Sequence, residues 1–273
     1  MKHKQAPEPQ WITWLREQVR QVRDFEVVHG MLRKQCVSDE SIATALESMR
    51  PLHSALASGT LGIPPLIRRP PPKLRKLEVT QFDLYAWDDF MSAKDCARLI
   101  ALTSHHLIPS PIARDPGDSD YRTSQTCALG DLRSPQAQEV DARICKGLGI
   151  RPQYSEGIQV QRYDVGQQFK PHCDYFDPGT TDFLRFASIN GNRTWTFMVY
   201  LNDEGLEGGA TRFTKADYAV SPKTGMALLW NNLLEDGSPN PDTMHCGEPV
   251  TRGHKVIITK WFRTMGTGPV FFE

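Results

Sequence analysis

The sequence predicts a mainly β fold with supporting helices (α+β), in which a double-stranded β-helix, or jelly roll, follows a small helical N-terminal region. Two observations lead to this prediction. Near the N-terminus, apolar residues recur at three- and four-residue steps, which is the helical period. From about Leu77 onward, short apolar runs of strand type alternate with turns that contain Gly or Pro. Many short strands of this kind are typical of two packed antiparallel sheets.

Two helices are predicted in the N-terminal region. The first covers residues 8–35, with Gly30 interrupting or ending it, and its apolar stripe consists of Trp11, Leu15, Val19, Val22 and Phe25. The second begins near Ser38, a plausible N-cap that Asp39 and Glu40 follow in the first turn. We interpret these helices as a packing appendage. A module that docks a substrate or partner is the alternative, because helix-in-groove contacts use the same apolar stripe.

A Pro-rich, basic stretch at residues 57–77 separates the helices from the strands. Consecutive prolines favour an extended polyproline II conformation, so this stretch is predicted to be a linker. The predicted organisation is therefore a helical region at residues 1–56, a linker at 57–77 and a β-rich domain at 78–273.

The β-rich domain is predicted in more detail from local patterns. Helices are expected from Ser92 through Leu102 and from Val140 to Leu148, and loops at residues 109–120 and 175–192. The predicted strands are an entry strand at Leu77 to Trp87, then Glu156 to Tyr163, Arg193 to Asn202, Thr211 to Phe213, Met226 to Trp230 and Lys255 to Arg263.

Composition excludes some classes of protein. The 273 residues carry 32 Lys and Arg against 32 Asp and Glu, so the basic excess of a general nucleic-acid binder is absent. No apolar run is long enough to span a membrane, and the N-terminus has no apolar segment of a secretory signal. The six cysteines are scattered, which favours reduced thiols. We therefore expect a cytoplasmic protein without nucleic-acid or membrane partners; the sequence does not predict its oligomeric state.

His172 and Asp174 form the first candidate metal site. Residues i and i+2 of a strand point to the same face, so these side chains would share one cavity. They would supply two of the three ligands of a 2-His-1-carboxylate triad, which binds non-haem Fe(II). The candidate third ligand is His245, expected on the facing sheet of the jelly roll. The adjacent pair His105–His106 is disfavoured, because neighbouring residues of a helix do not face each other.

The last strand contributes a candidate anion-binding residue. Lys255 and Trp261 share one face by the strand period, while Lys260 lies on the other, so whichever face meets the core buries a lysine. An inward Lys255 would bind the distal carboxylate of a small dicarboxylate. An ordinary ion pair with Asp or Glu is the alternative interpretation.

Several motifs in order resemble the prolyl 4-hydroxylase family of Fe(II)/2-oxoglutarate-dependent oxygenases, over residues 78 to about 266. They are Arg122-Thr-Ser, Glu156-Gly-Ile-Gln-Val-Gln-Arg-Tyr163, Pro171-His-Cys-Asp174, Thr196-Phe-Met-Val-Tyr-Leu-Asn-Asp203, Gly208-Gly-Ala-Thr-Arg-Phe213, and His245 with Lys255, Lys260 and Trp261. The chain has Ala210 where the family's hairpin usually has Glu. Because that glutamate is not a metal ligand, the departure does not affect the implied activity.

The resemblance implies a role for each matched residue. His172, Asp174 and His245 would ligate Fe(II), and Lys255 would bind the C5 carboxylate of the cosubstrate 2-oxoglutarate. Further implied contacts are Tyr163 and Thr196 to the cosubstrate, Trp261 along the pocket, and Arg122 and Glu156 along the substrate channel. O2 is the second cosubstrate, and L-ascorbate would restore oxidised iron. Cys173 and Cys246 flank ligands, and Cys173 is expected to point away from the metal.

The function implied is hydroxylation of an unactivated C–H bond, with succinate and CO2 as coproducts, in a peptidyl proline (4-hydroxylation) of a protein substrate. Proline as the target depends on family analogy. Three alternatives remain open at this point: a 2-oxoglutarate-dependent hydroxylase of a free amino acid or other small molecule, a Zn-dependent hydrolase, and a binding module with a vestigial triad. The hydrolase would leave Lys255 without a role.

Overall fold

The structure is a computed structural model, and it describes residues 11, 15, 18, 25–47, 73–110, 118, 120–132, 134–178, 180, 182–187, 190–234 and 237–265. The chain divides into two compact units, residues 1–62 and 63–273. Most of the predicted linker lies outside the described residues, so the predicted domain boundaries stay predictions.

The first unit contains helix α1 (Phe25–Arg33) and helix α2 (residues 39–47). The predicted N-cap is confirmed, because the Ser38 hydroxyl accepts a hydrogen bond from the Ser41 backbone N–H at 3.3 Å. The first helix ends at Arg33, slightly before the predicted residue 35, and Gly30 lies inside it. The unit is held together by a small apolar core of Leu15, Val28, Leu32, Ile42 and Leu46.

The second unit contains fourteen strands and two helices within its described residues. The helices are α3 (Ala93–Thr103) and α4 (Pro135–Leu148). The strands are β1 (Arg75–Lys76), β2 (Leu84–Trp87), β3 (Ile108–Pro109), β4 (Gln125–Ala128), β5 (Gln159–Asp164), β6 (Phe169–His172), β7 (Arg193–Tyr200), β8 (Glu207–Gly208), β9 (Thr211–Phe213), β10 (Tyr218–Val220), β11 (Ala227–Asn231), β12 (His245–Gly247), β13 (Val250–Arg252) and β14 (His254–Arg263).

The strands form the two sheets of the predicted jelly roll, which is confirmed. The major sheet has eight strands in the order β1-β2-β11-β7-β14-β5-β4-β3, and the minor sheet has four in the order β10-β9-β12-β6. A short pair, β13-β8, accompanies them. Neighbouring strands of both sheets run antiparallel. The long strands β7 and β14 lie side by side near the centre of the major sheet.

The major sheet is covered on both faces, because alternate residues of its strands enter two different apolar cores. On β7, Phe197 and Val199 pack in a core with residues of α3 and α4, while Met198 and Tyr200 join the core that includes Phe213 of the minor sheet. The strand period therefore points one face of β7 and β14 towards the helices and the other into the jelly roll.

Three local predictions differ from the structure. The entry strand is shorter than expected, because residues 78 and 80–82 form bends and only Leu84–Trp87 pair with β11. The second helix of the domain begins at Pro135, capped by Ser134, rather than at Val140. The loop predicted at residues 175–192 contains a π-helical turn, Phe183–Ala187. No helix among the described residues has both the length and the apolar character needed to cross a bilayer.

Candidate metal centre and active-site cavity

His172, Asp174 and His245 come together inside the jelly roll, with potential ligand atoms within 4.8 Å of one another. His172 is the last residue of β6, and the antiparallel register places it directly opposite His245, the first residue of β12. The prediction that His245 lies on the facing sheet is therefore wrong, since both histidines belong to the minor sheet. Strand pairing, rather than sheet packing, brings the two imidazoles together.

Asp174 lies beyond the end of β6, in a bend. The strand period that predicted its direction therefore does not apply to it. Nor does that period direct Cys173 away from the metal, and Cys173 contributes to the cavity wall. A side-chain hydrogen bond fixes Asp174 instead: the Thr196 hydroxyl donates to its Oδ2 at 2.7 Å.

The two histidines present the same ring nitrogen to the centre. Nδ1 of His172 lies 2.8 Å from the Lys170 carbonyl, and Nδ1 of His245 lies 2.9 Å from the Thr243 carbonyl. A carbonyl oxygen only accepts, so each Nδ1 carries the proton and each Nε2 keeps its lone pair. Each Nε2 lies 3.8 Å from an oxygen of Asp174. Burial also lowers the pKa of His172, which favours the neutral, metal-binding form.

Thr196 was expected to contact the cosubstrate, but the structure gives its hydroxyl another position. Besides donating to Asp174, this hydroxyl accepts a hydrogen bond from Nδ2 of Asn232 at 2.9 Å, and both residues are fully buried. Thr196 is not among the cavity-lining residues. The chain of hydrogen bonds Asn232–Thr196–Asp174 therefore fixes the orientation of the carboxylate through its Oδ2.

A stack of rings and a guanidinium supports His172 from one side. The Phe169 ring lies parallel to the His172 ring, with 3.5 Å between centroids, and the Arg122 guanidinium lies 4.8 Å from the Phe169 centroid. Arg122 also donates to the hydroxyls of Ser124 and Thr126 at 3.4 Å. Stacking of this kind restricts the orientation of the imidazole. Arg122 also lines the cavity, where it was predicted.

Lys255 reaches the same cavity from β14 and is 1% exposed. Its Nζ donates to the Gly209 carbonyl at 2.8 Å and lies 4.7 Å from the centroid of the Tyr163 ring. A Cβ on Gly209, which has φ +68°, would lie 3.3 Å from Cδ of this lysine, so the glycine leaves space for the side chain. Burial without a carboxylate partner among the described residues lowers the pKa of Lys255 to about 8.

Lys260 shows the contrasting case on the other face of β14. It is also 1% exposed, but its Nζ donates to Asp141 of α4 and, at 2.9 Å, to the carbonyl of Glu156. We expected one face of the strand to be buried, and the structure buries both. Lys260 thus has the ordinary ion pair that was the alternative for Lys255.

The Tyr163 hydroxyl is a second polar group in the part of the cavity that contains Lys255. The Tyr163 hydroxyl donates to Oε1 of Gln161 at 2.8 Å, and Nε2 of Gln161 donates to the Thr259 hydroxyl at 3.4 Å. Tyr163 lies directly opposite Lys255 across β5 and β14, so the two side chains, which the resemblance assigns to the cosubstrate, are on the same face of the sheet. Gln161 was not predicted as a site residue. Its position two residues before Tyr163 on a strand does place both side chains on the same face.

The cavity has a volume of about 600 Å³ and extends from Lys255 to Trp261, with the three candidate ligands on its wall. Arg193 stacks on Trp261 with its guanidinium 3.9 Å from the ring centroid. Glu156, expected in the substrate channel, is half-buried and does not line the cavity; it pairs with Arg193 and Arg263 at 2.6 Å. Burial alone raises the pKa of Glu156, but the two guanidinium groups outweigh it and hold the pKa below its ordinary value.

Further residues of the metal centre and the cavity were not predicted from the sequence. One is Asn232, which the sequence marks only as part of a polar pair inside the apolar run Leu228-Leu-Trp-Asn-Asn-Leu-Leu234. Others are Asp182, directly before the π-helical turn, and Arg185 and Phe186 on that turn. They line the cavity from a segment that was predicted to be a loop. The exposed pair His105–His106 lies just after the end of α3 and is not among the residues that line the cavity.

Comparison with known proteins identifies the family. Residues 158–263 match the 2OG-Fe(II) oxygenase superfamily. A curated plant protein, "Probable prolyl 4-hydroxylase 3" of Arabidopsis thaliana, is 31% identical over 201 residues, covering 65% of this chain and 68% of its own length. The chain belongs to the prolyl 4-hydroxylase family. The resemblance found in the sequence is thereby confirmed.

Other members of the prolyl 4-hydroxylase family match over the same region. Prolyl 4-hydroxylase subunit alpha-3 of Mus musculus is 34% identical over 184 residues, or 66% of this chain and 33% of the mouse protein. The chain thus spans about a third of the length of the mammalian relatives it matches. A viral collagen prolyl hydroxylase from Paramecium bursaria Chlorella virus-1, 24% identical with a TM-score of 0.51, covers 67% of this chain and 96% of its own. It shows that the fold is shared.

The donor set of this prolyl 4-hydroxylase homologue fits the metal of its superfamily. Two imidazoles and one carboxylate are the ligand types of non-haem Fe(II) sites, which keep further coordination positions open. The residues that could hold the ion are His172, Asp174 and His245. Lys255 is the buried cation that could hold an acid bound beside it.

Proposed function

We propose that this chain is an Fe(II)- and 2-oxoglutarate-dependent dioxygenase that hydroxylates a peptidyl proline, by 4-hydroxylation, in a protein substrate. The observation that carries the proposal is that the triad lines one cavity together with Lys255, a buried cation that forms no salt bridge with any described carboxylate. A metal triad alone also suits zinc hydrolysis. A buried lysine without a carboxylate in the described structure, by contrast, favours binding of an anion beside the metal.

Each residue has a defined task in this proposal. His172, Asp174 and His245 hold the ion, and Lys255 with Tyr163 binds the C5 carboxylate of 2-oxoglutarate. Bound Fe(II), with 2-oxoglutarate and O2, supplies oxidative decarboxylation to succinate and CO2, coupled to insertion of one oxygen atom into an unactivated C–H bond. Thr196 and Asn232 are positioning residues, because their hydrogen bonds orient the Asp174 carboxylate.

A peptidyl proline is favoured by the aromatic mouth of the cavity. Tyr121, Tyr175, Phe176, Phe186 and Trp261 all line it. Grooves with aromatic walls bind proline-rich peptides, whose extended polyproline II conformation loses little entropy on binding. The names of the relatives, which are prolyl hydroxylases, support the same substrate. Trp261 would line the substrate side and help to exclude water.

The resemblance also supplies the reductant of the proposal. L-ascorbate would act as the reductant that restores iron oxidised in uncoupled turnover. The predicted cytoplasmic location stays a prediction. The second candidate function is hydroxylation of a free amino acid or another small molecule. It would use the same residues for the iron and the cosubstrate, and only the substrate bound at the cavity mouth would differ.

The test is succinate release over a panel of proline-containing peptides and free amino acids, with mass spectrometry of each substrate. We expect proline peptides to stimulate succinate release and to gain the mass of one oxygen atom. Stimulation by free amino acids alone would support the second candidate. Hydrolysis that proceeds without 2-oxoglutarate would contradict the dioxygenase assignment.

A further inference from the structure

A series of stacked guanidinium groups and aromatic rings forms one wall of the cavity mouth. The Arg185 guanidinium lies 5.0 Å from the Phe186 ring centroid, and Phe186 stacks on Phe176 at 5.4 Å. Arg193 lies 4.9 Å from Phe176 and 3.9 Å from Trp261. All five side chains line the cavity, and we call them the mouth ladder. It leads from the π-helical turn to β14.

The two arginines of the mouth ladder differ in their charge environment. Arg193 is half-buried and shares the carboxylate of Glu156 with Arg263, so its charge is largely compensated. Arg185 is exposed and makes no ion pair with any residue in the described part of the chain. Stacking on Phe186 holds its guanidinium near the mouth without neutralising it. Arg185 is thus an exposed cation on the wall of the cavity.

The charged residues that line the cavity also favour a negatively charged group of the substrate. In the deep part, Lys255 and Asp174 offset each other, as would a divalent ion and dianionic 2-oxoglutarate. Apart from these two residues and the histidines, the described charged residues that line the cavity are three arginines (122, 185 and 193) and one carboxylate (Asp182), while Glu156 pairs with Arg193 from outside the lining. The loaded mouth therefore keeps a positive excess, and a field of one sign favours ligands of the opposite sign.

We propose that Arg185 forms a subsite for a carboxylate side chain of the substrate, so that this chain selects proline peptides with Asp or Glu close to the target proline. The subsite rests on the proposed function, since it lies at the mouth of the same cavity. Asp182, half-buried directly before the same turn, is the competing group, because it would favour a basic side chain. The excess of arginines over carboxylates decides between them.

The test uses three peptides that are identical except for Glu, Gln or Lys next to the target proline. For the unmodified full chain, kcat/KM should fall in the order Glu, Gln, Lys, by about two- to fivefold per step, as for an exposed ion pair. Arg185→Glu should reverse the order, and Asp182→Asn should preserve it. The preference should also weaken at high salt.

Arg151→Glu is the matched control. Arg151 is an exposed arginine that stacks on Tyr154 at 5.3 Å, but it lies outside the cavity lining, so its replacement should leave the order unchanged. A wild-type preference for Lys, or an order that survives Arg185→Glu, would overturn the subsite alone. Failure of all three peptides to stimulate succinate release would overturn the subsite together with the proposed function.

Discussion

Replacing Lys255 with methionine removes the buried ammonium and keeps a side chain of similar length. In the free protein the ammonium contacts the Gly209 carbonyl and the Tyr163 ring, and no described carboxylate pairs with it. The fall of its pKa from 10.5 to about 8 corresponds to about 3 kcal/mol of unfavourable free energy in the folded state. Lys255→Met removes this cost. The same substitution leaves the Gly209 carbonyl without its hydrogen-bond donor, which costs about 1–3 kcal/mol of stability.

The free energy of unfolding of Lys255→Met should therefore stay the same or rise by up to about 2 kcal/mol. Binding of 2-oxoglutarate should suffer, because truncating one member of a buried charge pair costs at least about 2 kcal/mol, or roughly 30-fold in apparent KM. The sign of the pH effect follows from the lowered pKa. The cost of burying the charged Lys255 is complete below about pH 8 and disappears as the pH rises towards 10.5. The stability that Lys255→Met gains over the unmodified protein should therefore shrink above pH 8.

Lys260→Met is the matched control, because Lys260 lies on the same strand with the same exposure. It leaves Asp141 buried without its cation, which costs about 3–5 kcal/mol of stability. Its apparent KM for 2-oxoglutarate should not change. Thermal or urea unfolding measures the free energy of unfolding, and succinate release at varied 2-oxoglutarate measures the apparent KM. If Lys255→Met loses stability as Lys260→Met does and keeps its KM, the assigned role of Lys255 is refuted.

Three further predictions concern the metal centre and its pH dependence. Thr196→Val should weaken Mn(II) binding, followed by electron paramagnetic resonance, by about 10- to 100-fold, because Asp174 loses its orienting hydrogen bond. Thr194→Val, which removes an equally buried hydroxyl bonded to the Phe262 carbonyl, is its control; equal binding by both variants would count against the positioning role. His172→Ala should abolish 2-oxoglutarate turnover, and retained turnover would remove His172 from the metal site. For the unmodified protein, kcat/KM for 2-oxoglutarate should fall as the pH rises through about 8, where Lys255 loses its charge; a flat profile between pH 7 and 9 would contradict this.

The sequence predicted the identity of the site residues better than the reasons for their positions. His172 and His245 were predicted as partners, but their meeting depends on the pairing of β6 with β12, which local periodicity does not determine. Asp174 was predicted from strand alternation, although β6 ends before it. A short motif therefore located the ligands while the long-range strand order, which decides their geometry, was visible only in the folded chain.

Polar residues away from the motifs were harder to predict. Thr196 was expected at the cosubstrate, yet its hydroxyl lies between Asn232 and Asp174. Glu156 was expected in the channel, yet two arginines from β7 and β14 surround it. The partner of a buried polar side chain is set by strands distant in sequence, and a single sequence does not reveal it.

The most direct measurement follows both atoms of ¹⁸O₂ during turnover of a proline peptide. For the proposed function, one labelled atom enters succinate and the other enters the new hydroxyl group of proline, with both products formed in equal amounts. Lys255→Met should lower both together at limiting 2-oxoglutarate. A product whose new oxygen comes from water, with succinate absent or unlabelled, would contradict the assignment of the cavity to a 2-oxoglutarate-dependent prolyl hydroxylase.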